Sequence, residues 1–163
     1  MGWVTLSLRK MALKQRVSNL EYRLVQISQQ QQTLANQSSY AQRYMGAMQN
    51  QSMMQLNVDR LNYLKDARNN FSSGDASDYQ SQLDLQTALD EINLNYQFEQ
   101  MNMESVFQAQ EDSMLKEVNA QQQQLELEQE QIQTQLAAAQ AELESLDSAI
   151  TNDIKNNAIK LTS

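Results

Sequence analysis

Two stretches of this chain set apolar residues at alternating intervals of four and three, and few folds use that pattern. The first runs Leu13, Val17, Leu20, Leu24, Ile27, Gln31, Leu34, Ser38, Ala41, Met45, Met48, with nine of its eleven positions apolar. The second runs Leu115, Val118, Gln122, Leu125, Gln129, Ile132, Leu136, Ala139, Leu143, Leu146, Ile150. A helix needs this 3.5-residue period to hold one stripe against a partner helix over many turns. Both runs read as coiled-coil seams.

Composition removes most competing readings. At 163 residues the chain is one domain at most. It has no Pro and 3 Gly, so the residues that punctuate compact folds are nearly missing. Side-chain amides, 27 Gln and 14 Asn, fill a quarter of it. Such polar chains are often disordered, but disorder gives no reason to hold phase over five heptads. Without Cys or His there are no disulfides, thiolate nucleophiles, imidazole ligands or imidazole acid–base groups. No nucleophile–base pair, phosphate loop or metal cluster is visible, so neither an enzyme nor a cofactor is expected. No apolar run is long enough to span a membrane, and no Sec-type signal peptide precedes a cleavage site. A cytoplasmic location or a non-classical export route is the expectation.

The seams are separated by Ser72-Ser73-Gly74-Asp75-Ala76-Ser77. Lys65 and Arg68 precede it, where cations suit the end of a helix. Gly74 can take the left-handed conformation that stops a helix, and Ser77 with Gln80 reads as a capping box for the next. The expected fold is therefore all-α: a first long helix over 1–71, a turn at 72–77, and a second long helix over 78–163. In an antiparallel pair, facing seam residues have numbers that add to a constant. Trp3 with Leu146, Leu6 with Leu143, Leu13 with Leu136, Val17 with Ile132, Leu24 with Leu125 and Leu34 with Leu115 all give 149. Half of 149 falls beside Gly74. The tracts Gln29–Gln32 and Gln121–Gln124 mirror about 76.5 instead, also inside the turn.

Charge supports the pairing. Residues 1–70 carry 9 basic and 3 acidic side chains, and residues 71–163 carry 3 basic and 17 acidic. Arg9, Arg16 and Arg23 flank the first seam seven apart and are expected to meet Glu142, Gln135 and Glu128. Glu21 against Glu126 is a mismatch in the same register.

Two surfaces stand out as candidate partner-binding sites. The second helix is expected to overhang the first from about 148, leaving Ile150, Ile154, Ala158 and Leu161 as a stripe without a partner, possible only if another chain covers it or it folds back. Thr151-Asn152-Asp153 reads as a restart signal for that segment. Nearer the turn the seam slips phase between Met48 and Met54 and between Val106 and Leu115, and Leu94, Phe98 and Met101 form an apolar row off the main seam. The methionines of this region read as core filler rather than as a binding face. The adjacent acids Asp90-Glu91 and Glu111-Asp112 read as solvated. Trp3, Val4, Leu6, Leu8, Met11 and Leu13 with Arg9, Lys10, Lys14 and Arg16 would suit a membrane surface, but assigning Trp3, Leu6 and Leu13 to the seam favours the hairpin. Nucleic acid is disfavoured by a net charge of -8.

In its helical-hairpin plan, its lack of Cys and its wealth of Gln, Asn and Ser, the chain is similar to helical-hairpin proteins exported by bacterial specialised secretion machines, including axial filament and needle subunits. The turn at Ser72 to Ser77 lacks the Trp-x-Gly motif of the small secreted hairpin family. The resemblance implies export and homo-oligomerisation into a filament-type assembly. A structural, self-associating coiled-coil subunit is the first expectation. An adaptor or chaperone-like helical module gripping another helical protein is the second.

Overall fold

The computed structural model describes residues 2–72 and 78–162, with the backbone alone for Ser72 and 159–162. They form two helices, α1 (Gly2–Ser72) and α2 (Tyr79–Thr162), packed against each other as an all-α hairpin. No strand occurs among the described residues.

Asp78 caps α2. Its carboxylate accepts a bond of 3.3 Å from the Gln80 backbone N–H, and its carbonyl accepts the first helical bond, from Gln82. Ser77, the expected cap, and Gly74 lie outside the described residues, as does the rest of the expected turn. The last turn of α1 holds no base; Lys65 and Arg68 sit before it, so the expected cation at the helix end is not there.

The chain divides into two compact units, Met1–Asn36 with Val118–Ser163, and Gln37–Glu117. In the first, the heptad seam appears as read. Leu13, Val17, Leu20, Leu24, Ile27, Gln31 and Leu34 are buried or half-buried, as are Val118, Leu125, Gln129, Ile132, Leu136, Ala139, Leu143, Leu146 and Ile150. Only Gln122 turns outward, donating to Glu126 on its own helix. Leu13, Ala139 and Leu146 form the core cluster, with Leu6, Val17 and Leu143 packed on it. Ile27 is fully enclosed, at 0% exposure. Two polar seam residues satisfy one another, Gln31 Nε2 donating to Gln129 Oε1 at 3.3 Å.

Register differs from the expected constant of 149. The α2 residues around Leu13 are Ala139, Leu143 and Leu146, centred about seven residues beyond Leu136. Gly2 lies beside Asp153, whose carboxylate would stand 3.0 Å from a Cβ placed on that glycine. Trp3, expected in the seam, is 51% exposed. The same two stripes meet, displaced by about one heptad. Every step of seven returns equivalent positions, so stripe periodicity alone leaves that shift open. The expected ion pairs nevertheless form. Arg9 pairs with Glu142, and Arg23 Nε donates to Glu128 Oε1 at 2.8 Å; Lys10 adds a third pair, with Asp147. Arg side chains are long enough to reach across the displacement.

The second unit keeps a different period. Met45, Leu56 and Ala67 are spaced by 11, as are Gln49, Arg60 and Phe71, and all are at least half-buried. On α2, Leu85, Tyr96 and Phe107 repeat the interval, as do Ile92 and Met103. Eleven residues in three turns is 3.67 per turn, slightly above the natural helix, whereas a heptad lies below it. The phase slip near Met48 is this change of repeat: Gln49 takes the seam and Met48 is exposed.

Candidate assembly surfaces

Apolar side chains outside the seams define what this fold offers to a partner. Heptad and 11-residue seams each use one narrow stripe of a helix, so an apolar residue elsewhere has nothing to pack on. In the second unit, Leu94, Phe98 and Met101 are spaced by four and three on α2, and all three are exposed. The structure therefore brings this expected row together on one face of α2, pointing away from the seam.

The C-terminal stripe is less uniform. Ile150 is half-buried, since α1 accompanies α2 as far as Asp153. Ile154 and Ala158 are exposed, and the side chain of Leu161 lies outside the description. The helix runs on through Thr151-Asn152-Asp153 without restarting; Thr151 Oγ donates to the Asp147 carbonyl one turn back. The expected stripe is thus split, its first residue belonging to the hairpin.

A third surface was anticipated only in part: Val4, Leu8 and Met11 were weighed as a membrane-facing strip, and the structure continues their row through Tyr22 and Val25. In the first unit, Val4, Leu8, Met11, Tyr22 and Val25 are all exposed, from 46% to 68%. Gln15 and Ser18 complete a strict four-three pattern through them, on the face of α1 turned away from the seam. In the second unit Tyr40, Tyr44, Met54, Val58 and Leu61 are exposed on α1 with compatible spacing. The signal was present as a second periodic run with its own phase. It is masked because seam residues such as Leu6 and Leu13 interleave with it.

One of the grooves in the second unit, about 270 Å³, lies between Leu56, Arg60 and Tyr63 on α1 and Ile92, Tyr96 and Glu99 on α2; a second, about 410 Å³, lies between Gln42, Met45 and Gln49 on α1 and Glu104, Phe107 and Glu111 on α2. Arg60 occupies a seam position. Its Nε donates to Asn93 at 3.0 Å, and its guanidinium lies 4.8 Å from the Tyr96 ring centre. An arginine can cover apolar surface with its stem while its head finds polar and aromatic partners. Here the first groove is the by-product of a large polar residue in the seam, and it is smaller than most ligand pockets.

Among the described residues, no group of three or more acidic side chains is placed to hold a metal ion. No described helix is long and apolar enough to cross a membrane. Compared with protein-family models, curated proteins and solved structures, the chain matches none of them.

Proposed function

We propose that this chain is a structural, self-associating coiled-coil protein, each copy serving as one subunit of a larger assembly. The observation that carries the reading is how little two helices bury. The chain exposes 12405 Å². A compact monomer of 18.7 kDa would expose about 8,300 Å² on the usual size scaling. The excess, roughly 4,000 Å², is on the scale of the area that obligate oligomers bury. Its apolar part is organised into helical stripes with coiled-coil spacing, the form that further helices can cover. The likeness in plan to exported filament and needle subunits agrees with this reading and extends it to a secreted filament-type component.

Light scattering over a concentration series tests it. Mass should rise above 18.7 kDa as concentration increases. A monomer at every concentration would refute self-association and favour the adaptor reading, with Leu94, Phe98 and Met101 gripping a different helical protein.

A further inference from the structure

We propose that the outer face of α1 in the first unit is a self-complementary seam on which two copies of the chain pair antiparallel. This rests on the self-associating reading and names the surface responsible. From Leu8 the stripe runs Leu8, Met11, Gln15, Ser18, Tyr22, Val25: two apolar, two polar, two apolar. The order is the same from either end, which is what a two-fold antiparallel contact requires, since each residue must face its mirror image.

The register follows from the pattern. When facing numbers add to 33, Leu8 meets Val25 of the second copy, Met11 meets Tyr22, and Gln15 meets Ser18. From Leu8 to Val25 apolar side chains lie on apolar ones and polar on polar; one layer further out, Val4 meets Gln29. Sliding by one heptad places Leu8 or Tyr22 against Ser18, losing the match in both directions.

Charge selects the same register independently. Lys14 and Glu21 immediately precede Gln15 and Tyr22, and both are exposed. Neither belongs to the ion pairs of the described residues, which use Arg9, Lys10 and Arg23 with Glu142, Asp147 and Glu128. In the 33 register Lys14 lies two residues, about 3 Å along the axis, from the level of Glu21 of the second copy. Symmetry makes the pair twice. A shift of one heptad brings Lys14 beside Lys14, or Glu21 beside Glu21. Apolar matching and charge therefore agree on one alignment and disfavour its neighbours, as flanking charges do in coiled coils.

The full chain has no Cys, so the geometry can be read by cross-linking. Leu8→Cys and Val25→Cys variants, mixed under mild oxidation, should give a disulfide-linked dimer of one with the other. Cross-linking of each variant chiefly to itself would mean parallel pairing and would overturn the proposal. Next, Lys14→Glu and Glu21→Lys are examined by sedimentation, with circular dichroism confirming unchanged helicity. Each alone should dimerise about tenfold more weakly, because both pairs become repulsive. An equimolar mixture should regain the wild-type affinity, because both pairs become attractive again. A mixture no tighter than its components overturns this interface, while wild-type association would leave the self-associating reading standing. Vesicles of phosphatidylserine that pellet the wild type but not Leu8→Ser, with no dimer in solution, would assign the face to lipid instead.

Discussion

Positions 25 and 27 are two residues apart on one helix, yet the structure gives them opposite consequences when truncated. Ile27 has 0% of its surface exposed, and Val25 has 54%. Ile27→Ala removes three carbons from an enclosed site, about 2.4 kcal/mol of transfer free energy at about 0.8 per methylene. The cavity left behind adds to this, so a total cost of about 3–4 kcal/mol is expected, within the usual range for such truncations. For a chain of this size, that corresponds to a fall in melting temperature of about 6–15 °C. Val25→Ala should change the dilute protein by no more than about 0.5 kcal/mol, since alanine is also the better helix former.

Thermal and urea unfolding by circular dichroism, at matched low concentration, reads both variants. Low concentration matters, because association would add stability that Val25→Ala removes. Ile27→Val supplies a graded control at about 0.5–1.5 kcal/mol. An equal loss for Val25→Ala and Ile27→Ala in monomeric protein would refute the assigned faces of α1. The seam would then be rotated by roughly half a turn, and the outer stripe would be core.

Register is tested by two double variants: Leu13→Cys with Leu143→Cys should form an intramolecular disulfide faster than Leu13→Cys with Leu136→Cys, and the opposite order would restore the constant of 149. Replacing the polar layer by Gln31→Leu with Gln129→Leu should raise the melting temperature, at the cost of weaker discrimination among alternative pairings, seen as additional species by native mass analysis. Glu128→Gln should cost less than about 1 kcal/mol, and its effect should shrink in high salt, because the pair with Arg23 is partly exposed. A larger loss would mean that this pair stabilises the hairpin and does more than choose its alignment.

What the sequence discloses depends on how unique each physical signal is. The two heptad seams and the ion pairs Arg9–Glu142 and Arg23–Glu128 were readable, because a four-three run dictates a stripe and flanking charges favour opposite partners. The alignment was not, because moving one helix by seven residues restores the same stripe. Burial of Leu143 and Leu146 beside Leu13 is decided by how well whole layers fill space, which periodicity does not encode. The mirror point of the glutamine tracts, 76.5, lay nearer to the observed alignment than the apolar sum did. Polar seam residues are fewer, so they carry more information about register, and Gln31 bonding Gln129 is an instance.

The same reasoning explains why Leu94, Phe98 and Met101 were recognisable as a row of their own, while the continuation of Val4, Leu8 and Met11 through Tyr22 and Val25 was not. The first row lies where the seam had already lost its phase, so residues off the stripe were conspicuous. The second lies beside an unbroken seam, where every nearby apolar residue could be assigned to it. Trp3 was assigned there wrongly for that reason; the structure leaves it half exposed. Glu21 had the opposite history: the sequence set it against Glu126 as a mismatch, and it takes part in none of the ion pairs among the described residues. An exposed charge of this kind is free to meet an opposite charge on another chain. In the proposed antiparallel pairing, its position one residue before Tyr22, with Lys14 one residue before Gln15, sets Glu21 beside Lys14 of a second copy.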